Sequence, residues 1–318
     1  MNKVLKSTKQ VSEHSKDVKI NLPALERFAS ELKVRRIESW DEFSPFKTPA
    51  LSERDKLHYL FVLGSMNFCY GLRPKWGVTY QDKELKGAWG MSASLFRAHE
   101  EGLNIFEPGY LEKLSLDDAG SIFRGSMEIP LLKERVDILR EIGRVTNQKY
   151  DGEVSNLICS AKNDVLGLLE VMTSDYPSFN DVAQYGGKPV FFYKRAQLFI
   201  SDVYKEFRGE GIGRFGNIDE LTIFSDYKIP QLMRHEGILE YSPGLAHKVD
   251  GRIEIPAGSP EEVEIRANTV WAGELIKRKA AANNPGITTA DVDNWLWVMS
   301  KNVDTEKEPY HWTKSIFY

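Results

Sequence analysis

Apolar residues recur at helical spacing along most of this chain. Ala196, Phe199, Ile200, Val203, Tyr204 and Phe207 fall on one face of an amphipathic helix that runs into the glycine-rich stretch Gly209-Glu210-Gly211-Ile212-Gly213. Further helical runs span Leu95 with His99, Ile129 to Ile142, Val165 to Met172, Leu221 to Phe224, Ile229 to Ile238, Glu261 to Lys279 and Val292 to Met299. Near the N-terminus, Pro23 and Ala24 open a run through Leu25, Phe28 and Leu32 that predicts a peripheral helix. Between Tyr59 and Tyr70 the chain reads as an apolar, strand-like run, and Gly71 to Trp89 has the poor helical period of a small hairpin. Turns at Tyr185-Gly186-Gly187-Lys188-Pro189 and Asn283-Asn284-Pro285-Gly286 separate elements at ordinary loop lengths. The pattern predicts a mainly α, compact helical fold, one unit over 1–318, with a small extended or β insert near 59–90.

Composition narrows the classes of function. A 318-residue chain with 42% hydrophobic residues can bury a substantial core unaided. Its net charge of −4 argues against a stable nucleic-acid partner, while leaving room for a local basic pocket holding one phosphate. No apolar run approaches the roughly 20 residues of a membrane span, and the two cysteines, Cys69 and Cys159, fit a reducing cytoplasm. The six histidines have no paired metal spacing, and neither a Walker nor a Gly-x-Ser-x-Gly sequence occurs, so no metal or cofactor is called for.

Candidate chemistry gathers at three places. Gly211 and Gly213 let backbone amides approach a phosphate, although a plain helix end and loop is the commoner use of such glycines. Lys194 and Arg195 open the helix that ends at these glycines. Cations are disfavoured there by the helix dipole, which hints at an anionic partner; solvation, or pairing with Asp202 or Glu206, is the simpler use. Asp226 follows Phe224 and Ser225 and precedes Tyr227. A carboxylate among aromatics is suited to stabilising an oxocarbenium-like centre or activating water, and an Asp just before a Pro-containing first turn is also an N-cap. Phe68 is an aromatic available to stack on a base, with core packing as its commoner fate. Glu262, Glu264 and Arg266 read as the solvated face of a helix, with a bidentate anion clamp by Arg266 as the lesser alternative.

Taken in order, Phe123-Arg124-Gly125 with Ile129-Pro130-Leu131-Leu132, Phe192 to Gln197, Gly209 to Phe215, Phe224 to Gln231 and Glu262 to Ala267 resemble the queuosine salvage protein family. The resemblance runs from about His14 to Tyr318. It implies an N-glycosylase that hydrolyses queuosine 5′-monophosphate and releases queuine for tRNA modification, on a fold similar to helix-hairpin-helix DNA glycosylases. It also implies Asp226 as the essential carboxylate, Lys194 as a phosphate or catalytic partner, Phe224 and Ser225 as lining residues, and Asp293 as a base contact. Asn294, Tyr227, Arg195, Gly211, Gly213 and Phe68 complete the expected substrate-binding set. Ser44, Gly71, Asn294 and Val298 depart from the family pattern where the base is read. A glycosidase of another nucleotide or nucleoside, or a non-catalytic helix-hairpin-helix module that binds nucleic acid, therefore stands as the alternative.

Overall fold

The computed structural model describes residues 2–32 and 43–318. In chain order the elements are α1 (Lys3–His14), β1 (Val18–Ile20), α2 (Leu22–Glu31), α3 (Glu53–Met66), β2 (Gly77–Tyr80), β3 (Lys83–Lys86) and α4 (Gly87–Glu100). There follow α5 (Pro108–Leu111), α6 (Leu116–Ile122), α7 (Leu132–Tyr150), α8 (Val154–Ser160), α9 (Val165–Asp175), β4 (Val182–Tyr185), β5 (Lys188–Phe191) and α10 (Lys194–Glu206). The last are α11 (Lys228–His235), β6 (Leu239–Tyr241), α12 (Pro243–Asp250), α13 (Pro260–Asn283) and α14 (Thr289–Met299). Among the described residues the strands form three antiparallel pairs, β1 with β6, β2 with β3 and β4 with β5, and the fold is mainly helical. Among the described residues no helix is long and apolar enough to cross a membrane.

Helix α13 organises the interior. Its residues Val263, Ala267 and Val270 belong to a large apolar cluster with α3, α4, α7, α9 and α10, whereas Ile265, Ala272 and Ile276 join a smaller one with α2, α11 and α14. A helix apolar on opposite faces is one that is packed on both. The first turns of α13 also carry the charged residues expected to face solvent, and here the structure corrects the sequence reading. Glu262, Glu264 and Arg266 are all buried. Glu264 accepts three consecutive backbone N–H groups, from Lys16 (3.0 Å), Asp17 (2.6 Å) and Val18 (3.0 Å), as well as the Tyr185 hydroxyl at 2.6 Å. It thereby ties the end of α1 and the β4–β5 hairpin to α13, because a buried carboxylate persists only where donors replace its water.

Other expectations fare differently. The Tyr59 to Tyr70 run is not a strand: α3 continues to Met66, and its residues bury on several faces, which removes the one-sided period. The insert shrinks to β2–β3, whose two-residue turn holds Gln81 and Asp82 at φ 47° and 59°, as a right-twisted hairpin requires. Leu221 to Phe224 is extended and buried rather than helical. Helix α1 was not anticipated; Asn2 caps it, accepting from Leu5 N–H at 2.9 Å, and Val4, Leu5 and Val11 bury against the core. After α10 no second long helix follows the glycines. Two 3-10 turns, Gly211–Gly213 and Ile218–Glu220, lead to the extended segment before α11.

Candidate active site

Asp226 lies at the end of that extended segment, which is pinned from both sides. Gln197 of α10 donates from Nε2 to Thr222 Oγ1 (2.9 Å) and accepts the Thr222 N–H at Oε1 (2.8 Å), while Asp293 Oδ1 of α14 accepts the Phe224 N–H at 2.7 Å. Asp226 then caps α11: its Oδ1 accepts from the N–H groups of Lys228 (2.7 Å) and Ile229 (3.0 Å). These bonds fix the carboxylate through one oxygen, and the residue lines a cavity.

Lys194 arrives from the opposite side. It begins α10 after Tyr193, which sits at φ 52°, a left-handed conformation uncommon for a residue with a side chain. Asp181 holds this turn, its carbonyl accepting from Phe192 N–H (3.0 Å) and its carboxylate from Lys194 N–H (3.3 Å). Arg266 in turn grips the Asp181 carboxylate with both terminal nitrogens, at 3.0 and 2.5 Å. The bidentate clamp therefore closes on an acid of this chain. Lys194 itself is buried, and its Nζ donates to the Asn67 carbonyl at 3.1 Å.

Two connected hollows meet at these residues. The larger, about 730 Å³, is walled by Tyr59, Trp89, Phe96, Phe224 and Trp297, with Asp293 and Asn294 side by side on α14. The smaller, about 260 Å³, is lined by Lys75, Lys86, Lys228 and Lys301 together with the start of α4 at Gly87 and Ala88. Asn67, Ala88, Trp89, Lys194, Asp226 and Trp297 line both. The junction thus carries one carboxylate, one ammonium and one carboxamide between two indoles.

The charges are uneven. Burial pushes the Lys194 and Lys228 ammonium groups down to about 8, with Asp226 opposing the shift in each case. Lys301 is pushed down to about 8 as well; its chain reaches solvent, but its Nζ lies 3.5 Å from the centre of the Trp297 ring. Lysines crowded about one carboxylate leave the small hollow short of negative charge, and the first N–H groups of the 14-residue helix α4 have no side-chain cap. Such a lobe suits a compact dianion. In the larger hollow, burial pushes Asp293 up to about 7 against the bond from Phe224 N–H, and Asn294 Nδ2 is buried with no hydrogen-bond partner among the described residues.

The remaining expected residues are distributed as follows. Phe224 lines the larger hollow and Tyr227 the smaller, whereas Ser225 lines neither; its Oγ is buried without a hydrogen-bond partner among the described residues. Arg195 is buried, donating to the Ser65 and Ser178 carbonyls, so neither solvent nor Asp202 nor Glu206 is its partner. Phe68 lies between guanidiniums, 4.0 Å from Arg135 and 5.1 Å from Arg195, and does not line the cavity. Gly211 and Gly213 line neither hollow, and Gly213 is instead packed on the end of α10, where a Cβ would meet Phe207 Cβ at 2.7 Å. Ser44 lines the larger hollow and Val298 neither. At Gly71 a Cβ would approach Tyr310 at 3.0 Å, and Tyr310 packs on Tyr227 with ring centres 4.6 Å apart, so an aromatic from another part of the chain fills that space. Lys75, Lys86, Lys228 and Lys301 of the small hollow, with Trp89, Trp297 and Asn67, were not anticipated as site residues. Each looks ordinary in its own segment and acquires meaning only by convergence.

A family model described as queuosine salvage protein matches residues 47–318. Queuosine 5′-phosphate N-glycosylase/hydrolase of Sphaerobacter thermophilus is 40% identical over 99% of this chain and 97% of its own. The proteins of the same name from Nematostella vectensis and Bos taurus are 34% and 30% identical, over 97% and 98% of this chain and 96% and 97% of theirs.

Proposed function

The chain belongs to the queuosine salvage protein family, and we propose that it hydrolyses the N-glycosidic bond of queuosine 5′-monophosphate, releasing queuine for reuse in tRNA modification. The observation that carries this reading is the junction itself: Asp226 and Lys194 stand where an aromatic-walled hollow meets a lysine-lined one. A nucleoside monophosphate has the same order, base, then sugar, then phosphate.

The base enters the larger hollow, where Asp293 accepts from ring and exocyclic N–H groups and Asn294 donates to a carbonyl. The phosphate enters the lysine lobe, where charge-assisted hydrogen bonds to a dianion contribute about 1.5–3 kcal/mol each. The ribose then spans the junction, with its anomeric carbon at Asp226. As the bond to the base breaks, positive charge develops on C1′ and the ring oxygen, and the fixed carboxylate stabilises it without reorganising. The same carboxylate orients water towards C1′; water oxygen bonds to that carbon as the bond to the base breaks, one proton stays on the new C1′ hydroxyl, and the other passes to the carboxylate and finally to the departing base. A 7-deazapurine lacks the N7 whose protonation assists ordinary purines, so the barrier is lowered chiefly at the sugar.

The site draws on helices of both apolar clusters, α3, α4 and α10 with α11 and α14, which supports treating 1–318 as one unit. We read α10, its glycine turn and α11 as a divergent helix-hairpin-helix whose two helices are separated by two 3-10 turns and an extended segment. The free thiols Cys69 and Cys159 fit the cytoplasm, and the acidic net charge fits a nucleotide rather than a polynucleotide partner.

Incubation with queuosine 5′-monophosphate and detection of free base by mass spectrometry tests the reading. Wild type releases queuine and Asp226→Asn does not, with unchanged nucleotide binding. Base release by Asp226→Asn near the wild-type rate would overturn it.

A further inference from the structure

Resting on that reading, we propose that the Asn67 carboxamide recognises the ribose 2′,3′-diol, donating from Nδ2 to one hydroxyl and accepting from the other at Oδ1, and so selects ribonucleotides over 2′-deoxyribonucleotides. The sugar is the only part of the substrate that must occupy the junction. Of the six residues lining both hollows, Ala88, Trp89 and Trp297 present apolar or ring surface, Asp226 faces the anomeric carbon, and Lys194 is held on the Asn67 carbonyl. Asn67 is the remaining polar side chain, half-buried, and its carboxamide makes no hydrogen bond to a described residue. A carboxamide carries a donor and an acceptor side by side, which matches two vicinal hydroxyls.

The turn that carries Asn67 is fixed to a degree that core packing does not require. The carbonyls of Ser65, Met66, Asn67 and Phe68, at the end of α3, are taken in succession by Arg195, by Arg135 Nη1 (2.8 Å), by Lys194 Nζ (3.1 Å) and by Arg135 Nη2 (2.7 Å). The Cys69 N–H then donates to the Tyr318 carbonyl at 2.7 Å. Three buried cations spent on one helix end hold its carbonyls in the sense the helix dipole favours, and they leave Asn67 little freedom at its backbone. A preorganised group of this kind discriminates strongly, because a substrate lacking the hydroxyl leaves it unpaired in the closed complex.

The test compares queuosine 5′-monophosphate with its 2′-deoxy counterpart in wild type, Asn67→Ala and Asn67→Asp. The ribo-to-deoxy ratio of kcat/KM is compared between proteins, which cancels the greater intrinsic lability of the deoxy bond. Asn67→Ala is expected to lower kcat/KM on the ribonucleotide by about tenfold or more, to lower it less on the deoxynucleotide, which loses only its 3′-hydroxyl contact, and to shrink the ratio accordingly. Asn67→Asp, nearly isosteric and without the donor, also shrinks it and serves if the alanine variant does not fold. A ratio unchanged in a folded variant overturns this inference while leaving the glycosidase reading intact. Failure of wild type to release base from the ribonucleotide would overturn the glycosidase reading itself.

Discussion

Asp181 and Arg266, 85 residues apart, form a buried two-point ion pair at 3.0 and 2.5 Å, and the same carboxylate accepts the backbone N–H that starts the Lys194 helix. The Arg266 guanidinium is enclosed by the rings of Phe192 (3.9 Å) and Tyr318 (4.4 Å), and Tyr318 also lines the lysine lobe. The pair therefore links the long central helix to the placement of a site lysine.

Breaking that pair from one side is expected to be costly. Arg266→Met leaves Asp181 and Glu262 buried without their shared cation, and a loss of about 3–5 kcal/mol follows from an uncompensated buried charge. Urea unfolding measures it. A loss below about 1 kcal/mol would contradict the buried pairing.

Inorganic phosphate should protect the protein against heat in a pH-dependent way. Lys194 and Lys228, pushed down to about 8 by burial, are charged below that value and lose their protons as pH rises through it. Phosphate-induced rises in Tm are thus expected at pH 7 and much reduced at pH 9.5. Undiminished protection at the higher pH would place the anion elsewhere.

Lys228→Ala removes one cation from the lobe without touching Asp226 Oδ1, which bonds the backbone of residue 228 and not its side chain. KM for the 5′-monophosphate is expected to rise roughly 10- to 100-fold, corresponding to about 1.5–3 kcal/mol, with kcat much less affected. Any turnover of the dephosphorylated nucleoside should be unchanged, and steady-state kinetics on both substrates separates the outcomes.

Gly71→Trp is expected to destabilise the protein, because its Cβ alone would press on Tyr310 at 3.0 Å and displace the ring from Tyr227. Adding Tyr310→Ala should restore part of the loss, since the two aromatics compete for one space. Thermal unfolding of the single and double variants checks this, and strictly additive losses would rule it out.

The helical period located α4, α7, α9, α10, α11, α13 and α14, and the glycines Gly186-Gly187 marked the turn between β4 and β5 though not the strands themselves, because one-sided burial and positive φ leave local signatures. Where burial is many-sided the signature fades, and α3 reads as a strand. Charge is harder still. The sequence shows Arg195, Glu264 and Arg266 as ordinary surface-type residues, and nothing local reveals that backbone carbonyls, a run of N–H groups and Asp181 respectively await them inside the fold.

Contiguous motifs alone were enough to indicate a helical chain, to single out Asp226 with Phe224 and Lys194, and to carry the family resemblance. What surrounds the carboxylate is set by how the chain packs in three dimensions. That packing gathered lysines from β3, α11 and the segments after α3 and α14 about the smaller hollow, away from the glycine turn, and it placed Asn67 rather than Phe68 on the cavity wall. Charges distant in sequence gather into one lobe only because the helices that carry them pack together, and no local pattern records that convergence.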